Sequence, residues 1–221
     1  MTSLTTSPLA PLLDRLFTEA EANAPWENPA FAELPQEETM RLMQSRTEYR
    51  HFYGQLRDYA LPVSREAGKL LYMLARSIGA RHIVEFGTSF GISTLHLAAA
   101  LRDNGGGRLI TSEFEPSKLA RARDNLEAAG LADLVEFREG DALETLGIDL
   151  PASIDLLLLD GAKALYPDIL DRVEPRLRPG ALIIADNADH SPAYLERVRA
   201  PNSGYMSIPY GEEVELTMRL G

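Results

Sequence analysis

Acidic side chains recur where the apolar runs of this sequence end. Glu85 closes Arg81–Phe86 just before Gly87, Glu113 closes Arg108–Glu113, and Gly140-Asp141 follows Leu134–Arg138. Asp160 ends the run Leu156-Leu157-Leu158-Leu159, and Asp186-Asn187 follows Ala181–Ala185. Surface solvation accounts for one or two such acids. A row of five fits a ligand with hydroxyls, amines or a metal ion, because carboxylates accept from the first two and coordinate the third. Lysine usage adds a candidate. Three lysines (Lys69, Lys118, Lys163) stand against nineteen arginines, so arginine is the generic cation here. A lysine, unlike an always-charged arginine, can give up and take a proton, and Lys163 stands three residues after Asp160.

These residues meet only if strand ends share one rim. From Val63 onward strand and helix patterns alternate, with strands expected at 81–86, 108–113, 134–138, 154–160 and 181–186. Leu156–Leu159 and Ala181–Ala185 lack polar alternation, as strands buried on both faces do, which predicts a parallel sheet covered by helices. Two last strands, 204–209 and 214–220, are joined by too few residues for a crossover and must form an antiparallel hairpin. The expected fold is α/β: a Rossmann-like, seven-stranded, mostly parallel sheet with an antiparallel C-terminal hairpin. In such sheets ligands bind beyond the carboxyl ends of the strands. Residues 1–60 read differently, as helices 8–24 and 36–59 broken by prolines. They are expected to form a helical arm, packed on the body or on a second subunit, ahead of a ligand-binding domain at 61–221. Trp26, Phe31 and Tyr53 are candidates for arm packing or an aromatic pocket.

Composition narrows the partners. The 221 residues carry a formal charge of −11, which repels nucleic-acid backbones and anionic membranes. No apolar run reaches the ~18 residues of a membrane span, and residues 1–13 lack the pattern of a secretory signal. The absence of cysteine removes disulfides, thiol nucleophiles and cysteine-held zinc. A cytoplasmic protein acting on a small molecule is expected.

The first loop, Glu85-Phe86-Gly87-Thr88-Ser89-Phe90-Gly91, lacks two of the three glycines of a dinucleotide fingerprint. With SEFEP at 112–116, GDALETL at 140–146, DLLLLDGAK at 155–163 and LIIADN at 182–187, it resembles the class I S-adenosylmethionine-dependent methyltransferases. More narrowly, it is similar to the catechol and caffeoyl-CoA type O-methyltransferases.

That resemblance implies roles. Glu85, Gly87 and Gly91 would shape the loop under the methionine part of S-adenosylmethionine, and Ser93 would bond its carboxylate at a helix start. Glu113 would accept two ribose hydroxyls, being exposed before the cofactor binds, while Asp141 and Ala142 would line the adenine edge. Asp160, Asp186 and Asn187 would hold one divalent cation, Mg2+ or another, and Asp160 would also border the cofactor. Lys163 would be the catalytic base, its pKa lowered by the nearby cation, with Asp160 beside it and Tyr166 matching the usual pattern. The acceptor would be a small aromatic; His190, near the proposed metal site, is a candidate to touch it or a structural residue, and a homodimer is expected. Residues 188–203 leave little room for a lid, so the arm is the expected roof. A metal-independent methyltransferase stays open, as does a nucleotide-binding oxidoreductase or a non-catalytic cofactor-binding protein.

Overall fold

The computed structural model describes residues 2–25, 35–211 and 213–221. Trp26 and Phe31 lie outside the described residues.

Helix α1 (Leu9–Ala22) is followed by α2 (Gln36–Met43) and α3 (Tyr49–Gln55). The single helix expected over 36–59 is thus two. The break has a local cause: the Ser45 hydroxyl accepts from the Glu48 backbone N–H at 3.0 Å, closing a turn where the first helix would have continued. Helix α4 (Arg65–Ser77) starts at Ser64, whose hydroxyl accepts from the Ala67 N–H. Then come β1 (His82–Phe86), α5 (Ile92–Asp103), β2 (Arg108–Glu113), α6 (Pro116–Ala128), β3 (Val135–Glu139) and α7 (Ala142–Thr145). The chain closes with β4 (Ile154–Leu159), α8 (Tyr166–Val173), β5 (Leu177–Asp186), α9 (Pro192–Arg199), β6 (Tyr205–Tyr210) and β7 (Val214–Arg219).

The strands form one seven-stranded sheet in the order β3-β2-β1-β4-β5-β7-β6. Pairings among β3, β2, β1, β4 and β5 are parallel, and β7 runs antiparallel to both β5 and β6. The order reverses between β1 and β4, and the carboxyl ends there open a crevice.

Leu156 and Leu158 face one core with Leu182, Ile184 and the inward faces of α4 and α5. Leu157 and Leu159 face the other, with Ile183, Tyr166, Ile169 and Tyr194. The period of two is real but hidden, since both faces are apolar. Strand β5 starts earlier than expected because Pro179-Gly180 sits inside it. Pairing with β4 jumps from Ile154–Leu177 to Leu156–Leu182, so the intervening residues bulge.

The arm is not separate from the body. Leu9, Leu12, Leu13, Leu16 and Phe17 of α1 join the core that contains Leu71, Leu95 and Ala98. Ser3 bonds Asp103 through its backbone N–H and its hydroxyl, at 2.9 and 2.6 Å. Helix α9 fills the link after Asn187. It buries Tyr194 and Val198 beside the sheet rather than covering the crevice. No helix of the described residues is long and apolar enough to cross a membrane.

Candidate active site

The crevice holds an open pocket, with about 640 Å3 of empty space counted out into the solvent. Its floor is the first loop and the ends of β2 and β4; its roof is Tyr49 and Tyr53 of α3 with Leu61. Gly87 is required where the floor is thinnest. It has φ +101°, and a Cβ there would stand 2.6 Å from the Asp160 carbonyl. Gly91, with φ +82°, lies off the pocket; a Cβ there would press on Leu126 and Ala122 of α6.

Glu113 lines the pocket and is buried, contrary to the exposure expected of it. Its two oxygens accept backbone N–H groups of Ser89 at 2.9 Å and Glu115 at 3.0 Å. Burial raises its pKa, and those N–H groups oppose the rise. Each oxygen keeps a lone pair, which suits a vicinal diol. Ser89, which sequence reasoning passed over, stands at φ +48° and takes the Leu61 N–H on its hydroxyl. It joins floor to roof. Lys118 was also passed over. It is a nearly buried pocket-wall ammonium whose pKa burial lowers, against the pull of Glu113 and Glu115. The scarcity of lysine was the one sequence signal for it.

Glu85 does not reach the pocket. Its carboxylate accepts the hydroxyls of Ser93, Thr94 and Thr111, each at 2.6 Å, and is fully buried. Burial pushes its pKa up to about 6 in spite of those three donors. Ser93 spends its hydroxyl on Glu85 rather than pointing it at the main pocket, so in this state both residues brace the first loop.

At the other wall Asp141 caps α7, accepting the Leu143 N–H at 2.9 Å. Tyr49 donates to it at 2.6 Å and Arg50 pairs with it, so the arm is fastened to this edge. Burial would raise the Asp141 pKa, but Tyr49, the Leu143 N–H and Arg50 outweigh it and hold the group below the ordinary range. Ala142 lines the pocket beside it. A second tie joins Arg46 to Asp168.

The far end contains Asp160, Lys163 and Asp186. Asp160 lines the pocket; Lys163, Asp186 and Asn187 stand behind it. Lys163 Nζ is 3.0 Å from Asp160 and 3.8 Å from Asp186, and all three side chains are nearly buried. Burial raises the Asp186 pKa to about 7, helped by the facing charge of Asp160, whose own pKa is also raised by burial. The lowering expected of Lys163 relies on a bound cation, and the groups around it act the other way. Burial alone would lower it, but the charges of Tyr166, Asp160 and Asp186 hold the ammonium well above the ordinary lysine range. Asp186 Oδ1 is buried with no hydrogen-bond partner. Tyr166 donates to the Asp186 carbonyl at 2.7 Å, and Asn187 holds a left-handed turn at φ +45°. Among the described residues no group of three or more acidic, histidine or cysteine side chains gathers as a cation site. His190 lies beside Asp189 and does not line the pocket.

Comparisons with known proteins agree with this fold. A family model described as a methyltransferase domain matches residues 84–188. A catechol O-methyltransferase of Niastella koreensis is 39% identical over 131 residues, 58% of each chain. The chain spans less than three fifths of the length of the first such curated relatives. Among solved structures, cofactor-bound Rv0187 from MTB superposes with TM-score 0.70 at 26% identity, covering 98% of this chain and 93% of that one. The O-methyltransferase TomG of Streptomyces achromogenes, in complex with SAM, gives 0.65 at 29% identity, with 86% and 92% covered.

Proposed function

The chain belongs with the class I S-adenosylmethionine-dependent methyltransferases of the catechol and caffeoyl-CoA type, and from that premise we propose the reaction it performs. It transfers the methyl group of S-adenosylmethionine to one hydroxyl of a small aromatic with two adjacent hydroxyls, assisted by a divalent cation such as Mg2+. The observation that carries this reading is one pocket with two different carboxylate walls. Glu113 is preset for a diol at one end, and Asp160 with Lys163 and Asp186 forms a charged cluster at the other.

The donor types at the second end suit a hard cation: the Asp160 and Asp186 carboxylates, an orphaned Asp186 oxygen among them, and the amide of Asn187, next in sequence. Asp160, Asp186 and Asn187 would hold it, and when bound it would lower the pKa of an acceptor hydroxyl. The protein's own part is orientation. Glu113 fixes the ribose, and the Gly87 floor brings the methyl group toward the Asp160 end. The acceptor oxygen attacks the methyl carbon, the carbon–sulfur bond breaks, and S-adenosylhomocysteine leaves. The acceptor's proton can pass to Lys163 Nζ only after that ammonium has given up its own proton to solvent, a loss that its ion pairs with Asp160 and Asp186 oppose. The roof helix α3 sets Tyr49 at the Asp141 end and Tyr53 toward the Lys163 end.

Mass-spectrometric detection of methyl transfer to a panel of catechols, with Mg2+ and with a chelator, tests the reading. No methylated catechol from protein that binds S-adenosylhomocysteine would remove the acceptor class. One observation favours a metal-independent variant of the same reaction: Lys163 already neutralises the carboxylate pair. Full activity in chelator would select it. Binding of NAD without S-adenosylhomocysteine would select an oxidoreductase instead.

A further inference from the structure

Tyr49 and Tyr53 are four residues apart on α3 and so share one helix face, the face that roofs the pocket. Tyr49 spends its hydroxyl on Asp141, at the edge away from the charged cluster. Tyr53 stands one turn further on. Its hydroxyl is buried and has no hydrogen-bond partner. The neighbours that act on it are the Lys163 ammonium, the Asp160 carboxylate and the Lys163 backbone N–H, which does not reach hydrogen-bond geometry. The ring meets Phe52 edge-on at 5.1 Å and leaves part of itself on the pocket wall.

A phenol with an unused donor in such a place is costly, and a phenylalanine would pack as well without that cost. The two fully buried tyrosines are satisfied: Tyr166 donates to the Asp186 carbonyl at 2.7 Å, and Tyr194 meets Thr217 at 3.3 Å. Tyr205 shares the unpaired state but sits on β6 beside Glu174, off the pocket. Tyr53 alone among these puts an unpaired hydroxyl where the acceptor's oxygens must arrive.

We propose that Tyr53 is a positioning residue for the acceptor: its ring walls the acceptor end, and its hydroxyl donates to the acceptor oxygen that is not methylated. It thereby selects which of two adjacent hydroxyls faces the methyl group. This rests on the catechol reading under Proposed function. It also gives the arm a chemical role, since the selecting group comes from residues ahead of the sheet.

The test uses the full chain, S-adenosylmethionine, Mg2+ and 3,4-dihydroxybenzoate, whose two hydroxyls are distinguishable after methylation. Wild type and Tyr53→Phe are compared for KM, kcat, the ratio of the two methylated products, melting temperature and S-adenosylhomocysteine affinity. The variant keeps the ring, so melting temperature and cofactor affinity should stay at wild-type values. KM should rise about 3- to 10-fold, the size of one net hydrogen bond, and the product ratio should move by a similar factor. An unchanged KM and product ratio, in a variant that binds cofactor normally, would overturn the positioning role. A wild type that binds S-adenosylhomocysteine yet methylates no catechol would instead overturn the catechol reading, and this inference with it.

Discussion

The two ends of the rim handle buried carboxylates in opposite ways. At the β1–β2 end every acid is met by donors of the protein itself: Glu113 by two backbone N–H groups, Glu85 by three hydroxyls. At the β4–β5 end two acids face each other, one lysine serves both, and an Asp186 oxygen has no partner. The first end is finished without ligand, and a cofactor uses lone pairs left over. The second is balanced only by mutual charge, so a change of ligand there changes protonation. A site preset for binding and a site tuned for proton movement need these different constructions.

The largest effect should come from the unfinished end. Lys163→Arg keeps the charge but removes the group able to accept a proton, so turnover should fall by about 10²–10⁴-fold. S-adenosylhomocysteine affinity, measured by calorimetry, should hardly move, because Lys163 lies off the cofactor wall. Near-normal turnover would mean that the position supplies charge alone, and the contrast between the two ends would be structural only.

Asp186→Ala and Asn187→Ala sharpen the same contrast. Each should abolish stimulation by divalent ions and leave cofactor binding intact, since neither residue lines the pocket. Titration of activity with Mg2+ checks this. Chelator-insensitive, full activity in both would hand the reaction to the metal-independent variant.

How far these ends were legible follows from the range of the interactions. Strand ends are local features: an apolar run, then an acid, then a turn. Glu113, Asp141, Asp160 and Asp186 therefore stood where the sequence put them, at one rim of the expected sheet. The helix break at Ser45 is a side-chain choice between two local hydrogen bonds, and helical spacing of Met40, Met43, Tyr49 and Phe52 hides it. Helix α9 carries a start signal, Ser191-Pro192, but its eight residues are too short for periodicity to reveal. Contacts across the fold left no trace at all. Tyr49 and Asp141 are 92 residues apart, and nothing in either neighbourhood announces the bond. The expected lowering of the Lys163 pKa weighed a cation; what spacing could not give is the 3.8 Å approach of Lys163 to the carboxylate that β5 brings.

At the finished end, Glu113→Ala should weaken S-adenosylhomocysteine binding by about 1.5–3 kcal/mol, the range for hydrogen bonds to a charged group. The fold should survive, since the residue removed is one whose burial already raises its pKa. Calorimetry decides it. An unchanged dissociation constant would take the ribose contact away from Glu113 and leave the first end without its defining feature.

Glu85 gives the smallest effect and the finest test of what finished means. Its folded pKa is about 6 against an ordinary 4.5, so the folded protein holds this proton over a range where the unfolded chain has lost it. Below that window both states are protonated and Glu85 contributes nothing to pH dependence. As pH rises through the window the unfolded state releases its proton first, and stability falls. The loss from this residue should total about 2 kcal/mol and be complete above pH 6 or so. Glu85→Gln removes the titration while keeping an acceptor oxygen for the hydroxyls of Ser93, Thr94 and Thr111. Urea unfolding of both proteins between pH 4 and 7 would show the difference. The variant should gain on wild type by about 2 kcal/mol across that range, on top of any constant offset from the altered hydrogen bonds. Parallel curves would mean that the three hydroxyls hold Glu85 ionised at no cost, a more complete preorganisation than its burial implies.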